Sequence, residues 1–79
     1  MNKIPTEKIA KMLDLYRAGN RIERIAADTE VSYCSAFRII SLYCDCKAQN
    51  WKNISKNLSK RYYHQHIFDF IFLEYLPYE

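Results

Sequence analysis

The side chains best suited to chemistry lie between residues 32 and 41, on the outer face of a predicted helix. Arg38 can donate two parallel hydrogen bonds to O6 and N7 of guanine, and the rings of Tyr33 and Phe37 can contact the methyl group of thymine. The serines of this stretch can donate to phosphate oxygens. The full set expected to contact bases or phosphates is Ser32, Tyr33, Cys34, Ser35, Phe37, Arg38 and Ser41.

Two short amphipathic helices and a tight turn would present this face. Asn20 and Glu23 have the spacing of a capping box, so we expect Asn20 to begin the first of these helices. Val31 is expected to fill the turn and Ser32 to cap the second helix. A helix packed along one side and polar on the other fits the major groove of duplex DNA. The apolar residues at helical spacing, which we expect to be buried, are Ile22, Ile25, Ala26, Ala36, Ile39 and Ile40.

A further helix precedes this pair. Thr6 is expected to cap it, because Pro5 disfavours an earlier start, and Gly19 is expected to end it. Its apolar positions are Ile9, Met12, Leu13 and Tyr16.

Residues 6–43 resemble the helix-turn-helix of resolvase-type recombinases, transposases and many small bacterial and phage regulators. One departure is Glu30, where that family usually has a left-handed glycine, and a non-glycine residue there costs about 1 kcal/mol. The resemblance implies a tri-helical DNA-binding unit, and an ordinary three-helix core without a DNA role is the alternative. The matching segments are Leu15-Tyr16-Arg17-Ala18-Gly19, Ile25-Ala26, Val31-Ser32 and Phe37-Arg38-Ile39.

A basic segment follows from about Lys47 to Arg61. Trp51 begins an apolar stripe at helical spacing, and we expect its ring to be buried in the core. Three lysines, four residues apart, lie on another face and would follow a DNA backbone, although a solvated helix face is the alternative. The cationic residues expected at phosphates are Arg21, Arg24, Lys52, Lys56 and Lys60.

The C-terminal segment, residues 62–79, is dense in aromatic residues and carries three acidic residues but no Lys or Arg. We expect a helix that ends before Pro77, with a strand as the alternative. An element that is apolar nearly all round must be buried, and a second copy of the chain is the economical partner. The expected dimer interface is Ile67, Phe68, Phe70, Ile71, Phe72, Tyr75 and Leu76.

Other chemistry finds little support in the sequence. Cys44, Cys46, His64 and His66 are zinc-ligand types, but each pair is separated by one residue, which suits a zinc site poorly, so we expect no metal. Glycine-rich phosphate loops, paired metal-binding acids and nucleophile–base sets are absent from the sequence, so we expect no enzyme and no cofactor. The missing apolar leader and the odd cysteine count predict a cytoplasmic protein without disulfides or membrane contact.

Together these features predict an all-α protein, a tri-helical helix-turn-helix core with one or two further C-terminal helices that dimerise. Residues 1–43 would be the DNA-binding unit and residues 44–79 a basic helix with a dimerisation element, in a single compact domain. The predicted function is sequence-specific binding of double-stranded DNA by a homodimer on an inverted repeat, as a small transcriptional repressor. The alternatives are an origin- or end-recognition module of a phage or mobile element, and a protein-interaction module or viral inhibitor.

Overall fold

The computed structural model describes residues 3–60 and 64–79, in which every regular element is helical and no strand occurs. The all-α prediction is confirmed, and the strand alternative for the C-terminal segment is wrong. Across the described ranges, every helix is too short or too polar to cross a lipid bilayer. The elements are α1 (Thr6–Arg17), α2 (Ile22–Thr29), α3 (Tyr33–Ala48), α4 (Trp51–Lys60), α5 (His64–Asp69), a π-helical segment (Phe70–Tyr75) and a 3₁₀ turn (Leu76–Tyr78).

The chain divides into two compact units, Met1–Ser41 and Leu42–Glu79, and helix α3 begins in the first and ends in the second. In the first unit, α1 packs against α2. The expected apolar stripes are buried there, except that Tyr16 and Ile22 are only half-buried. The buried side chains of this unit are Ile9, Met12, Leu13, Ile25, Ala26, Thr29, Ala36, Ile39 and Ile40.

The turn between α2 and α3 depends on a left-handed residue. Glu30 has φ 58° and ψ 42°, the conformation that the glycine of similar turns adopts. Its N–H donates to Ala27 O at 3.3 Å, and the N–H of Val31 donates to Ala26 O at 3.1 Å. These two bonds form a Schellman motif, which satisfies carbonyls at the end of α2 and turns the chain into α3.

The same terminator ends α1 and α3. Gly19 has φ 96°, and the N–H of Asn20 donates to Leu15 O at 3.1 Å. Gln49 has φ 56°, and the N–H of Asn50 donates to Asp45 O at 2.9 Å. Gly19 therefore ends its helix as the sequence predicted, whereas two of these three left-handed positions carry a side chain.

Two expected caps are wrong. The side-chain amide of Asn20 donates to Leu15 O at 2.9 Å, so it satisfies the end of α1, and α2 begins after Arg21 without a side-chain cap. Thr6 is the first helical residue of α1, and Pro5 occupies the cap position. Asn20 does not cap α2 because its side-chain amide is engaged at the end of α1. Thr6 does not cap α1 because the carbonyl of Pro5 already accepts the N–H groups of Lys8 and Ile9, so the helix begins one residue earlier than the spacing predicts.

In the second unit, Asn50 begins α4 by accepting the N–H of Asn53 at its Oδ1, 3.3 Å away. The Asn53 side chain donates to Asp45 Oδ2 at 2.7 Å and so ties α4 to the end of α3. Trp51 is 46% exposed, so its expected burial is wrong. As the first residue of α4, it lies at the helix end, and its ring packs edge-on against Phe72 with centroids 5.4 Å apart.

The C-terminus is attached to α3 by a polar cluster. Buried Tyr43 donates its hydroxyl to Glu79 Oε1 at 2.7 Å, and Lys47 Nζ lies 2.7 Å from the same oxygen. Burial, followed by the hydrogen bond to Glu79, raises the pKa of Tyr43, and the Glu79 contact raises the pKa of Lys47. Tyr43 therefore stays protonated as a donor and Lys47 stays charged at neutral pH.

Replacing Glu30 with glycine should stabilise the protein. We expect Glu30→Gly to raise the free energy of unfolding by roughly 0.5–1 kcal/mol, since the left-handed penalty exceeds the added entropy of the unfolded chain. The control is Ala27→Gly, at an exposed position inside α2, which should lower stability by about 1 kcal/mol. Urea denaturation followed by circular dichroism measures both, and a loss of stability in Glu30→Gly would contradict the backbone explanation.

Candidate nucleic-acid interface

The exposed side of the first half of α3 is largely aromatic. Tyr33 is 50% exposed and Phe37 is 49% exposed. Their rings are stacked, with centroids 6.3 Å apart and planes 23° apart, as residues four apart on a helix allow. Two large exposed rings side by side are poorly accounted for by packing within the chain, because burial is what normally favours such side chains.

Cys34 and Arg38, both exposed, complete this surface. Together with the two rings they line an open hollow of about 200 Å³ whose surface is mostly apolar. The structure thus brings together the three residues expected at base edges, Tyr33, Phe37 and Arg38, with Cys34 of the same predicted DNA-contacting set. An arginine beside aromatic rings combines a bidentate donor with apolar contact area. We call Tyr33, Cys34, Phe37 and Arg38 the α3 face.

Serine at the start of α3 holds this surface in position. The Ser32 Oγ accepts the N–H of Ser35 at 3.1 Å, which confirms the expected cap, and it donates to Ser35 Oγ at 2.9 Å. Ser35 and Ser41 are half-buried, whereas Ser32 is exposed. The Ser32 hydroxyl is therefore already engaged in the cap, and its first effect is to fix the direction of the helix.

The cationic residues expected at phosphates lie at two places, the start of α2 and helix α4. Arg21 and Arg24 are exposed at the start of α2, where Arg24 Nε lies 3.4 Å from Asp28 Oδ2 in an exposed i, i+4 pair. Such a pair contributes little stability and opens readily to another anion. In the second unit, Lys52 and Lys56 are exposed one turn apart on α4. The Lys60 side chain lies outside the described residues.

The cysteines differ in environment. Cys34 is exposed and Cys44 is half-buried, and burial together with the charge of Asp45 raises the pKa of Cys46 to about 11. Cys46 is thus a protonated core thiol at neutral pH. Across residues 3–60 and 64–79, no three Cys, His, Asp or Glu side chains converge as a metal site requires, and the side chain of His64 lies outside this description.

The residues expected at a dimer interface are distributed unequally. Ile67 and Ile71 are buried within the single chain, at 4% and 0% exposure. Phe72 is 37% exposed, and the neighbouring Leu73, which the sequence did not single out, is 63% exposed. The remaining members, which are half-buried, are Phe68, Phe70, Tyr75 and Leu76.

Comparison with protein-family models, with characterised proteins and with solved structures finds no match to this chain.

Proposed function

We propose that this protein binds double-stranded DNA in a sequence-specific manner, with α2, the Glu30 turn and the first half of α3 acting as a helix-turn-helix. The proposal is carried by one observation: the two sides of the first half of α3 differ sharply in burial. The inner side buries Ala36, Ile39 and Ile40, while the outer side exposes two rings and Arg38. Packing explains the inner side, and contact with base edges explains the outer one.

The dimensions suit the major groove. An α-helix with its side chains is about 10–12 Å in diameter, which matches the width of about 12 Å of the major groove in B-form DNA. A recognition helix contacts bases through its N-terminal residues, and the α3 face begins at the first residue of α3. The Ser32 cap and the left-handed Glu30 would set the angle at which the helix enters the groove.

We further propose a homodimer on an inverted repeat, acting as a small transcriptional repressor. Two-fold symmetry in the protein is mirrored by two-fold symmetry in the site, with half-site centres about 34–36 Å apart when both helices enter one side of the duplex. Recognition of a replication origin or of transposon ends would use the same α3 face.

A protein-binding role is the second candidate, because the hollow on the α3 face is mostly apolar. Salt separates the two functions: DNA affinity falls steeply as salt rises, whereas an apolar protein interface is much less sensitive. Selection of bound sequences from a random duplex pool tests the proposal, and a palindromic consensus is the expected result. If no sequence is enriched at low salt, the DNA-binding proposal is wrong.

Arg38→Ala should weaken binding to the selected site by about 1–3 kcal/mol and relax the preference at one position per half-site. Arg38→Lys keeps the charge but loses the bidentate geometry, so it should still lose the base preference. The control is Arg24→Ala, which removes another exposed arginine of the same unit, one expected at a phosphate, and so should weaken specific and random duplexes alike. Fluorescence anisotropy on specific and random duplexes measures the difference, and equal weakening on both would assign Arg38 to a phosphate.

The rings of the α3 face should detect thymine methyl groups. Replacing one contacted thymine by deoxyuridine removes a single methyl and should cost about 0.8 kcal/mol, roughly fourfold in affinity. In Phe37→Ala the same base change should have a smaller effect, because the apolar partner is gone. Comparing the four protein–DNA pairs isolates this contact, and equal methyl effects in both proteins would exclude Phe37 as the partner.

The lysines of α4 should contribute affinity without specificity. Replacing Lys52, Lys56 and Lys60 with Gln should weaken all duplexes similarly and reduce the slope of log affinity against log salt by roughly 1 per lost contact. Lys11→Gln on α1 serves as a control for loss of an exposed charge. An unchanged slope in the triple variant would leave these lysines as a solvated helix face.

A further inference from the structure

Three aromatic rings form a partly exposed ladder between α4 and the C-terminal segment: Trp51, Phe72 and Phe68. Trp51 meets Phe72 edge-on at 5.4 Å, and Phe72 stacks on Phe68 at 5.4 Å with planes 11° apart. Leu73 follows Phe72 in the chain and is the most exposed of this apolar group, at 63%. Exposed Trp and Phe together provide large contact areas of the kind that dominate protein interfaces.

The π-helical segment explains why this ladder is outside. In its wider turns, Ile71 is fully buried and Tyr75 reaches the ring of Tyr43 at 5.9 Å. With those two residues directed inward, Phe72 and Leu73 remain on the surface. The core of the single chain thus buries Ile71 but not Phe72 and Leu73, and these two exposed residues are available to contact a partner.

The charges around the ladder indicate what that partner is. Exposed Lys52 follows Trp51 in the chain, and Lys56 lies one turn further along α4. Exposed Asp69 and Glu74 follow Phe68 and Leu73. A two-fold interface brings every charge of the surface into both halves, so a surface of one sign would repel itself. A surface with both signs can pair Lys52 of one copy with Glu74 of the other, whereas an anionic membrane would be repelled by the acids.

We infer that Trp51, Phe72 and Leu73 form the surface on which a second copy of this chain packs. The inference rests on the proposed function, for which it identifies the dimer interface. This interface differs from the one expected from the sequence. Ile67 and Ile71 are excluded from it, because they are already buried within the single chain, and exposed Trp51 and Leu73 are added. Trp51 and Phe72 would lie at the centre of the interface and the charged residues at its rim.

Solution mass, measured by light scattering over a concentration series of the full chain, tests the interface without DNA. Wild type is expected to be a dimer at micromolar concentration, and Leu73→Lys should weaken dimerisation at least about tenfold, because it places a like charge across the two-fold axis. The matched control is Tyr78→Lys, the same charge change at an 87% exposed aromatic residue, which should leave the dimer intact.

A charge swap tests the partner independently of the apolar core. Glu74→Lys should weaken the dimer, and adding Lys52→Glu should restore it, with circular dichroism verifying the fold of each variant. A monomeric wild type, or an unchanged dimer in Leu73→Lys, would overturn the inference. A wild-type dimer that binds no DNA would overturn the DNA-binding proposal instead, while a monomer that binds one site tightly would overturn the interface and the homodimer but not DNA binding.

Discussion

The structure depends on how short helices end. Each helix leaves its last carbonyls without intrahelical donors, and in a chain of short helices these groups are a large share of the backbone. Three of the helices end in a left-handed residue with the same pair of backbone hydrogen bonds, although the chain contains a single glycine. The left-handed conformation is energetically unfavourable for Glu30 and Gln49, because both have a side chain. It allows α2 to turn directly into α3, and α3 directly into α4.

The α2–α3 turn links fold stability to the proposed function. Because the N–H groups of Glu30 and Val31 are both hydrogen-bonded to the end of α2, and Ser32 caps the following helix, the first turn of α3 has a defined direction. The same helix buries one side completely, which fixes its rotation about its own axis. Tyr33 and Phe37 are therefore positioned by the core behind them, in addition to the stacking of their own rings. Such preorganisation lets a surface bind without ordering itself first.

What the sequence could predict is largely local. The burial of Ala36, Ile39 and Ile40, the Ser32 cap and the exposure of Tyr33 and Phe37 follow from helical spacing, since neighbours three and four residues apart determine them. The Asn20 cap was wrong because the same amide suits two helix ends, and spacing does not decide between them. The exposure of Trp51 and the burial of Ile71 depend on how α4 and the π-helical segment pack. A pattern based on 3.6 residues per turn does not predict which residues a π-helical segment buries.

The Tyr43–Lys47–Glu79 cluster changes what the charge distribution means. By sequence, residues 44–61 hold five basic residues and one acid, which suggests a uniformly basic segment. In the structure, Lys47 lies 2.7 Å from Glu79, so its charge is locally balanced and anchors the C-terminus. Affinity for a phosphate backbone depends on how many phosphates replace condensed counterions, and a lysine held by a carboxylate gains less from doing so. Electrostatic attraction from the described part of this segment therefore comes from Lys52 and Lys56, on the helix that also carries Trp51.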